Sequence, residues 1–326
     1  MTDHYATLEV SPQARPEVIK AAHRALAKQF SEKNSLLREI NQARDILLDD
    51  DKRSEFDKSR RKKKRKNSKV GDYKITKEIA AGGFGVTYYA EHSVLGTPVC
   101  IKHATNISPL DEKILLDEAK AMWDLRHFGI PAMRDLLQLE DESYALVMSY
   151  IPGPTLQEIV DKNGPLDAEH VAWIGERVIN ILKYLHFHGV VHGDVKPQNI
   201  IVQPESHTVV LVDYGLSAVK PSRDTGNKGY TPKFAAPEQI DGKTLVPETD
   251  FYGFGVSMIY ALGGDIDTMR VPAYTPDSMC KLLKRFIVRD VLSRPNWQEE
   301  DIHESWGEAR EKDFGRRYSG LKPLKV

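Results

Sequence analysis

The residues best suited to chemistry in this chain lie between positions 192 and 215. The run His192-Gly193-Asp194-Val195-Lys196-Pro197-Gln198-Asn199 carries an acid, a lysine and an amide, and Asp213-Tyr214-Gly215 adds a second acid after the apolar run Val209-Val210-Leu211-Val212. Transfer of a γ-phosphoryl group requires positioning, neutralised phosphate charge and an oriented hydroxyl, with little covalent chemistry by the protein. The spacing therefore predicts phosphoryl transfer from ATP.

Each part of that chemistry has a candidate residue. We expect Asp194 to take the proton of the acceptor hydroxyl and Lys196 to lie near the transferring phosphate. Asn199 and Asp213 offer hard oxygen ligands, so they are the predicted magnesium ligands. An acid and an amide five residues apart, followed by a second acid, is a far more specific pattern than His-Gly-Asp alone.

Two upstream segments are expected to position the nucleotide. Residues 77–88 are predicted to form strand, glycine turn, strand, and glycines let backbone amides approach phosphate oxygens. In Val99-Cys100-Ile101-Lys102 the lysine shares a strand face with Cys100, and an inward lysine needs an acid or a phosphate as its partner. The helical pattern at 111–125 supplies Glu118. Taken alone, these features also fit an ordinary hairpin and a solvated ion pair. The predicted phosphate-loop residues are Ala80, Gly82, Gly83 and Gly85.

Together these motifs make residues 73–297 resemble a eukaryotic-type serine/threonine protein kinase catalytic domain. The resemblance implies an α+β bilobal fold, with a strand-rich small lobe, a helical large lobe and ATP in the cleft between them. Residues 146–151 resemble the hinge, with Met148 behind the adenine pocket and backbone groups of Ser149 and Ile151 bonded to the adenine edge. The residues implied to sandwich the ring are Val86, Cys100 and Ile201.

Further positions favour serine/threonine over tyrosine specificity and imply structural contacts. Lys196 follows the catalytic acid by two residues, and the resemblance implies that Thr231 contacts both. It also implies a buried ion pair between Glu238 and Arg294. Asp250 is expected to brace the catalytic loop, although an aspartate near a helix start can also simply cap the helix.

Gly193 departs from the pattern of regulated kinases, which usually carry arginine there. That arginine holds a phosphate on the activation loop through paired hydrogen bonds. Glycine has no side chain for this role, so we expect activity without activation-loop phosphorylation. Ser217, Ser222 and Thr225 remain candidate phosphosites.

The N-terminal segment is predicted to form a separate all-α helical hairpin. Apolar residues recur at helical spacing over residues 19–30, and a second such face covers residues 36–47. Residues 3–10 and 40–57 resemble a J domain, the co-chaperone module. Where that module carries His-Pro-Asp, the chain has Ser31-Glu32-Lys33. We therefore expect a docking or regulatory module for a partner protein, without co-chaperone activity; the alternative is a hairpin that only packs on the kinase.

The predicted organisation is a J-like unit at 1–58, a basic linker at 59–70, a kinase domain at 71–300 and a polar tail at 301–326. Within the tail, Trp306 and Phe314 are the predicted anchors onto the large lobe. Seven consecutive cations at 60–66 repel one another, which predicts a flexible linker. The same run is typical of a nuclear import signal if the source is eukaryotic. Because no aromatic residues interleave with it, specific nucleic-acid recognition is not expected.

Composition limits the remaining classes. A chain of 326 residues with 40% hydrophobic content fits about two domains, and its net charge of −1 gives no general attraction to nucleic acid. The two cysteines lie in different predicted lobes, which indicates a reducing compartment. No apolar leader or 18-residue apolar run is present in the sequence, so no secretory signal or membrane span is expected and a cytoplasmic location is predicted.

The favoured interpretation is an active ATP- and Mg²⁺-dependent protein serine/threonine kinase that transfers phosphate directly to a protein hydroxyl. Two alternatives stay open. One is a small-molecule phosphotransferase of the aminoglycoside-kinase type, which also carries His-Gly-Asp but lacks a peptide-binding segment such as the one around Thr231 and Ala236-Pro237-Glu238. The other is a pseudokinase scaffold, which would be marked by loss of a key residue; Lys102, Asp194, Asn199 and Asp213 are all retained.

Overall fold

The computed structural model describes residues 4–8, 10, 14–29, 34–65, 69–82, 85–104, 109–139, 142–222, 225–226, 228–317 and 322–324. These residues form two compact units. One comprises residues 1–69 with 73–77, and the other comprises residues 70–72 with 78–326.

The N-terminal unit is helical. Its helices are α1 (His4–Thr7), α2 (Pro16–Gln29), α3 (Asn34–Leu47) and α4 (Asp50–Arg65). Both α1 and α2 pack on α3, and the Tyr5 hydroxyl accepts from Arg53 at 3.0 Å and donates to Asp57 at 3.1 Å. The predicted apolar faces are confirmed where they are described, while Phe30 lies outside the described residues. The buried core residues are Tyr5, Leu8, Ile19, Leu26, Ile40, Ala43, Leu47 and Phe56.

Helix α4 extends into the segment that was predicted to be a flexible linker. Its helical backbone continues through Arg65, whereas like-charge repulsion predicts a flexible chain over residues 59–70. Two acidic residues occupy its first turn, and the Asp49 carboxylate accepts from the Lys52 amide at 3.1 Å. Lysine and arginine are good helix formers, and cations are stabilising near a helix C-terminus. Helix propensity and the helix dipole therefore offset the repulsion.

Six strands and one helix follow α4. The sheet has the order β1-β2-β3-β4-β6-β5, and β3 with β4, β4 with β6 and β5 with β6 are antiparallel. In register, Cys100 lies opposite Met148 and Lys102 opposite Leu146, so the lysine strand neighbours the strand that enters the hinge. The elements are β1 (Lys69–Val70), β2 (Tyr73–Gly82), β3 (Gly85–His92), β4 (Pro98–His103), α5 (Pro109–Met122), β5 (Met133–Gln138) and β6 (Tyr144–Ser149).

The remainder of the chain is mostly helical. Strands β7 and β10, and β8 and β9, form two small antiparallel pairs that frame the candidate catalytic segment. Helices α7 and α9 are buried along most of their length. This strand-rich part followed by a helical part is the predicted α+β kinase-like arrangement. The elements are α6 (Leu156–Asn163), α7 (Ala168–Phe187), β7 (Val190–Val191), a 3-10 turn (Pro197–Asn199), β8 (Ile200–Gln203), a 3-10 turn (Pro204–Ser206), β9 (Thr208–Leu211), β10 (Ala218–Val219), α8 (Pro237–Ile240), α9 (Pro247–Ala261), α10 (Asp277–Phe286), a 3-10 turn (Val291–Ser293) and α11 (Ile302–Phe314).

The segment predicted as a polar tail is part of the second unit, and its predicted anchor Trp306 packs there. Trp306 of α11 is buried, and its indole nitrogen donates to the Ala172 carbonyl at 2.8 Å. A Cβ at Gly175 would lie 2.6 Å from the Trp306 ring, so the glycine leaves space for it. Arg310 and Arg317 both pair with Glu176. One apolar anchor and compensated buried charges therefore hold a segment whose overall composition is polar.

In the part of the chain that the structure describes, no helix is long and apolar enough to cross a membrane.

Candidate active site

One ammonium and two carboxylates meet where β4, α5 and the segment after β9 come together. Lys102 Nζ lies 2.7 Å from Glu118 Oε2 and 2.6 Å from Asp213 Oδ1. The other Glu118 oxygen accepts from the Tyr214 amide at 3.1 Å. The structure thus places Lys102 beside the acid predicted as its partner and beside the second acid of the motif.

Opposite charges in this cluster counter the cost of removing them from water. Removal from water alone would raise the pKa of Asp213, but the Lys102 ammonium lowers it to about 2. The same removal would lower the pKa of Lys102, yet the two carboxylates raise it well above its ordinary range. Burial raises the pKa of Glu118 against the opposing pull of Lys102. Asp213 is therefore the carboxylate most firmly held in its ionised form.

The backbone around Asp213 fits this crowded cluster. Asp213 has φ of +66°, a left-handed conformation that non-glycine residues adopt rarely and that tends to occur at functional sites. A Cβ at Gly215 would lie 3.3 Å from Lys102 Nζ and 3.4 Å from Asp213 Oδ1. A glycine at 215 therefore leaves the contact between the two charges clear.

Asp194 lies in a second cluster of hydrogen-bond donors. Lys196 Nζ is 2.6 Å from Asp194 Oδ2, and Asn199 donates to the same oxygen at 3.1 Å and to the Asp194 carbonyl at 2.9 Å. The Thr231 hydroxyl donates to Asp194 Oδ1 at 2.7 Å and accepts from Lys196 at 2.9 Å. The contact of Thr231 with both residues, implied by the resemblance, is present.

The loop that carries Asp194 is braced from α9. Buried Asp250 accepts from the backbone amides of His192 at 2.8 Å and Gly193 at 2.7 Å. Because α9 begins at Pro247, Asp250 lies beyond the position of a helix cap. Its carboxylate instead accepts from two buried backbone amides of the loop that carries Asp194. Leaving those amides without an acceptor would be costly.

Sequence analysis missed two residues that extend this brace. His186 Nε2 lies 2.8 Å from Asp250 Oδ2, and His186 Nδ1 lies 2.9 Å from the Trp297 indole nitrogen. Since an indole can only donate, Nδ1 accepts and the Nε2 proton faces Asp250. Gln239 donates to the Gly193 carbonyl at 2.8 Å. A histidine in the last turn of a long apolar helix was the available signal for His186, but its partners are distant in sequence.

The backbone explains why residue 193 is glycine. Gly193 has φ of +76°, and a Cβ there would lie 2.8 Å from both the Leu216 carbonyl oxygen and the Leu245 side chain. A side chain at this position would be strained and crowded. This loop conformation therefore disfavours the arginine found in regulated kinases.

The predicted phosphate loop lies between β2 and β3. Gly83 lies outside the described residues. Gly85 has φ of +135°, and a Cβ there would lie 2.3 Å from the His103 carbonyl oxygen, so glycine is required. The glycine thus allows the close approach of β3 to β4 at the end of the predicted loop. The predicted loop residues that the structure describes are Ala80 and Gly82 in β2 and Gly85 and Val86 in β3.

The predicted adenine residues come from separate elements. Cys100 and Met148 are neighbours in the β4–β6 register, whereas Ile201 lies on the β8–β9 hairpin. The Ser149 amide donates to the Ala132 carbonyl at 2.9 Å, so its own carbonyl is the group suited to the adenine edge. Ile151 follows two residues beyond β6. Burial raises the pKa of the Cys100 thiol to about 12. The thiol therefore stays uncharged beside the predicted adenine position.

The two predicted metal ligands fit a hard divalent cation. The side-chain nitrogen Nδ2 of Asn199 donates to Asp194, so the side-chain oxygen Oδ1 is the atom suited to a metal. Asp213 Oδ1 accepts from Lys102, which leaves Oδ2 for that role. The Val212 backbone amide donates to the backbone carbonyl of Asn199 at 2.9 Å. This bond joins the segment that carries Asn199 to the segment that carries Asp213. Among described residues no group of three or more His, Cys, Asp or Glu could hold a metal alone; Mg²⁺ commonly uses one or two protein ligands plus phosphates.

A buried ion pair anchors the segment after Thr231. Arg294 donates to the two oxygens of Glu238 at 2.7 and 2.9 Å, and the Thr249 hydroxyl also donates to Glu238 at 2.9 Å. This bidentate pair joins α8 to the loop after α10 and matches the pair implied by the resemblance.

Comparison with known proteins agrees with this geometry. The protein kinase domain model matches residues 73–271 and the DnaJ domain model matches residues 3–57, which confirms both resemblances. Serine/threonine-protein kinase D of Synechocystis sp. is 32% identical over 209 residues, covering 58% of this chain and 40% of that protein. Maternal embryonic leucine zipper kinase of Danio rerio is 30% identical over 239 residues, with coverage of 69% and 33%.

A third relative, serine/threonine-protein kinase pkn3 of Myxococcus xanthus, is 31% identical over 205 residues, covering 59% of this chain and 38% of that protein. The matches thus span between 33% and 40% of the length of these three relatives. The kinase model, by contrast, covers more than half of this chain. The chain therefore belongs to the protein kinase domain family.

Proposed function

We propose that this chain is an ATP- and Mg²⁺-dependent protein serine/threonine kinase. The observation that carries the proposal is the joint presence of two clusters: Lys102 paired with Glu118 and Asp213, and Asp194 bonded to Lys196 and Thr231. The features expected of a pseudokinase, a lost lysine or acid, are not found at these positions. The geometry therefore favours an active enzyme over a scaffold.

Each side chain has a role that follows from its position. When bound, ATP would supply the phosphoryl group and Mg²⁺ would offset the charge that develops on it. Lys102, held by Glu118, would contact the phosphates, and Asn199 and Asp213 would hold the metal. Asp194 orients the acceptor hydroxyl and takes its proton. Because Lys196 Nζ lies 2.6 Å from Asp194, it would be near the phosphoryl group that is transferred to that hydroxyl.

The segment after Asp213 supports a protein substrate over a small molecule. Thr231 ties this segment to Asp194, and the Glu238–Arg294 pair anchors its far end. A fixed stretch beside the catalytic acid is what an extended peptide carrying a serine or threonine hydroxyl requires. A small-molecule phosphotransferase has no use for such a platform.

Activity without activation-loop phosphorylation is the second part of the proposal. The catalytic loop is held by Asp250 at the His192 and Gly193 amides and by Gln239 at the Gly193 carbonyl. These contacts are all internal to the folded chain. The loop therefore needs no phosphate to take up its position.

The test is phosphotransfer from labelled ATP to a generic basic protein, with dephosphorylated full-length protein. We expect label on serine or threonine that is lost with EDTA and lost in Asp194→Asn, because the amide cannot accept the proton. A Ser222→Ala and Thr225→Ala double variant should keep its activity. Equal transfer by Asp194→Asn would refute the assigned base, and an inactive alanine variant that remains folded would refute phosphorylation independence.

We further propose that the N-terminal unit is a docking or regulatory module for a partner protein. It has its own hydrophobic core, and the tripeptide position Ser31-Glu32-Lys33, which lies outside the described residues, lacks His-Pro-Asp. The full-length protein should therefore not stimulate the ATPase of a chaperone of the kind that J domains serve; clear stimulation would refute this.

Both cysteines are free, which supports a reducing, cytoplasmic location.

A further inference from the structure

Lys228 connects two parts of the kinase unit that the catalytic motifs leave unlinked. Its Nζ lies 3.3 Å from Asp117 Oδ2 on helix α5 and donates to the Ser217 carbonyl at 2.9 Å. The side chains of Lys228 and Asp117 are only 22% and 26% exposed. This Lys228 bridge is thus largely shielded from solvent, where an ion pair is screened less than on an open surface.

One end of the bridge lies on the helix that positions Lys102. Asp117 and Glu118 are adjacent on α5, so their side chains face different directions. Glu118 faces Lys102 and the Tyr214 amide, while Asp117 faces Lys228. Helix α5 is therefore tethered at two successive residues, on two sides, to the segment that follows Asp213.

The other end lies beside the catalytic loop. Ser217 is buried, and its hydroxyl donates to the Tyr214 carbonyl at 2.6 Å. It directly precedes β10, which pairs with β7, with Ala218 opposite Val191. Because β7 leads into His192 and Asp194, the carbonyl that Lys228 contacts lies one residue before the strand pair that supports the catalytic loop.

We propose that Lys228 is a positioning residue for phosphotransfer: by joining Asp117 to the Ser217 carbonyl, it holds α5 where Glu118 pairs with Lys102. The inference rests on the proposed kinase function. It also supplies a physical reason for phosphorylation independence, because a cation already present in the chain links the helix to the activation segment.

Helix α5 offers a matched control. Lys120 Nζ lies 3.9 Å from the other oxygen of Asp117, but its side chain is 76% exposed, so solvent screens that pair. Lys228→Met should lower kcat roughly tenfold, as expected when a shielded charge-assisted hydrogen bond is lost. Lys120→Met should leave kcat within about twofold of the wild type.

Rescue by a conservative variant separates positioning from general damage. A cavity of about 260 Å³ lies beside the bridge and is lined by Leu216, Val219 and Leu245 among others. It leaves room for a larger cationic head group, so Lys228→Arg should recover most of the lost kcat. Failure of arginine to rescue, with the thermal midpoint unchanged from the wild type, would contradict a role for the charge.

A double variant tests whether Lys228 acts through Glu118. If it does, Lys228→Met combined with Glu118→Gln should be no slower than Glu118→Gln alone, because residues that act as a unit are not additive. Multiplied losses would overturn the proposal.

Hydrogen exchange separates failure of this inference from failure of the kinase proposal. Amides of α5 should exchange faster in Lys228→Met than in the wild type or Lys120→Met, whether or not phosphate is transferred. A wild-type protein without phosphotransfer but with this exchange pattern would refute the kinase proposal and leave the bridge intact. Identical α5 exchange in all three proteins would refute the bridge.

Discussion

Replacing Arg294 with methionine should destabilise the second unit strongly, because it leaves the Glu238 carboxylate buried without its partner. The two side chains are 0% and 6% exposed. The guanidinium makes two bonds to Glu238 and donates as well to the carbonyls of Glu248 at 3.0 Å, Val288 at 2.7 Å and Arg289 at 3.1 Å. The substitution therefore removes the counter-charge and leaves several buried acceptors without donors.

The expected size follows from this geometry. Removing one partner of a buried, hydrogen-bonded ion pair costs about 3–5 kcal/mol. In a domain of this size, 1 kcal/mol lowers the melting temperature by about 2–4 °C. Arg294→Met should therefore lower the midpoint of the second unit by about 6–20 °C. The double variant Glu238→Gln, Arg294→Met should recover part of this loss, because no charge then stays buried unpaired.

The assay is thermal denaturation of the full-length protein at neutral pH, followed by near-ultraviolet circular dichroism. The control is Lys243→Met, which breaks a pair with Asp241 of 3.0 Å whose side chains are 67% and 56% exposed; its cost should not exceed about 1 kcal/mol. Equal midpoints for Arg294→Met and Lys243→Met would refute the reasoning. A double variant less stable than Arg294→Met would also refute it.

Gly193→Ala should lower the free energy of unfolding by at least about 1–2 kcal/mol in urea denaturation, since its φ of +76° disfavours any side chain; an unchanged midpoint would contradict this. His186→Phe should lower kcat roughly tenfold by removing one partner of Asp250, whereas His188→Phe serves as the control, and equal kcat in both would argue against the brace. Because burial raises the pKa of Cys100 to about 12, its alkylation by iodoacetamide at pH 8 should be roughly a thousandfold slower than in the unfolded chain. The rate should rise as the pH approaches about 12. Rapid labelling at pH 8, measured by mass spectrometry, would show that the thiol is not held neutral.

The sequence indicated the candidate catalytic residues because phosphoryl transfer requires particular side chains at short, fixed spacings. Asp194, Lys196 and Asn199 lie within one loop, and Glu118 is only 16 residues from Lys102. Apolar periodicity likewise indicated the helices of the N-terminal unit. In each case the partners are separated by one element or less, so pattern and geometry are closely coupled.

Contacts between distant segments could not be predicted in the same way. His186 and Trp297 are 111 residues apart in sequence, and neither has a local pattern that points to the other. The sequence indicated Trp306 as an anchor, but only the folded helices reveal that Gly175 leaves the space for its ring. The basic run was misjudged for a related reason, because charge repulsion was weighed without the helix that precedes it.

We expect the Asp194 and Lys102 clusters to act as one phosphotransfer site in a chain that needs no prior phosphorylation. The most direct test is the initial rate of phosphate transfer from labelled ATP by dephosphorylated full-length protein, measured beside Asp194→Asn and Lys102→Met. Linear transfer from the first time point by the wild type alone is the predicted result. A lag that disappears after preincubation with ATP, or equal transfer by either variant, would contradict the account.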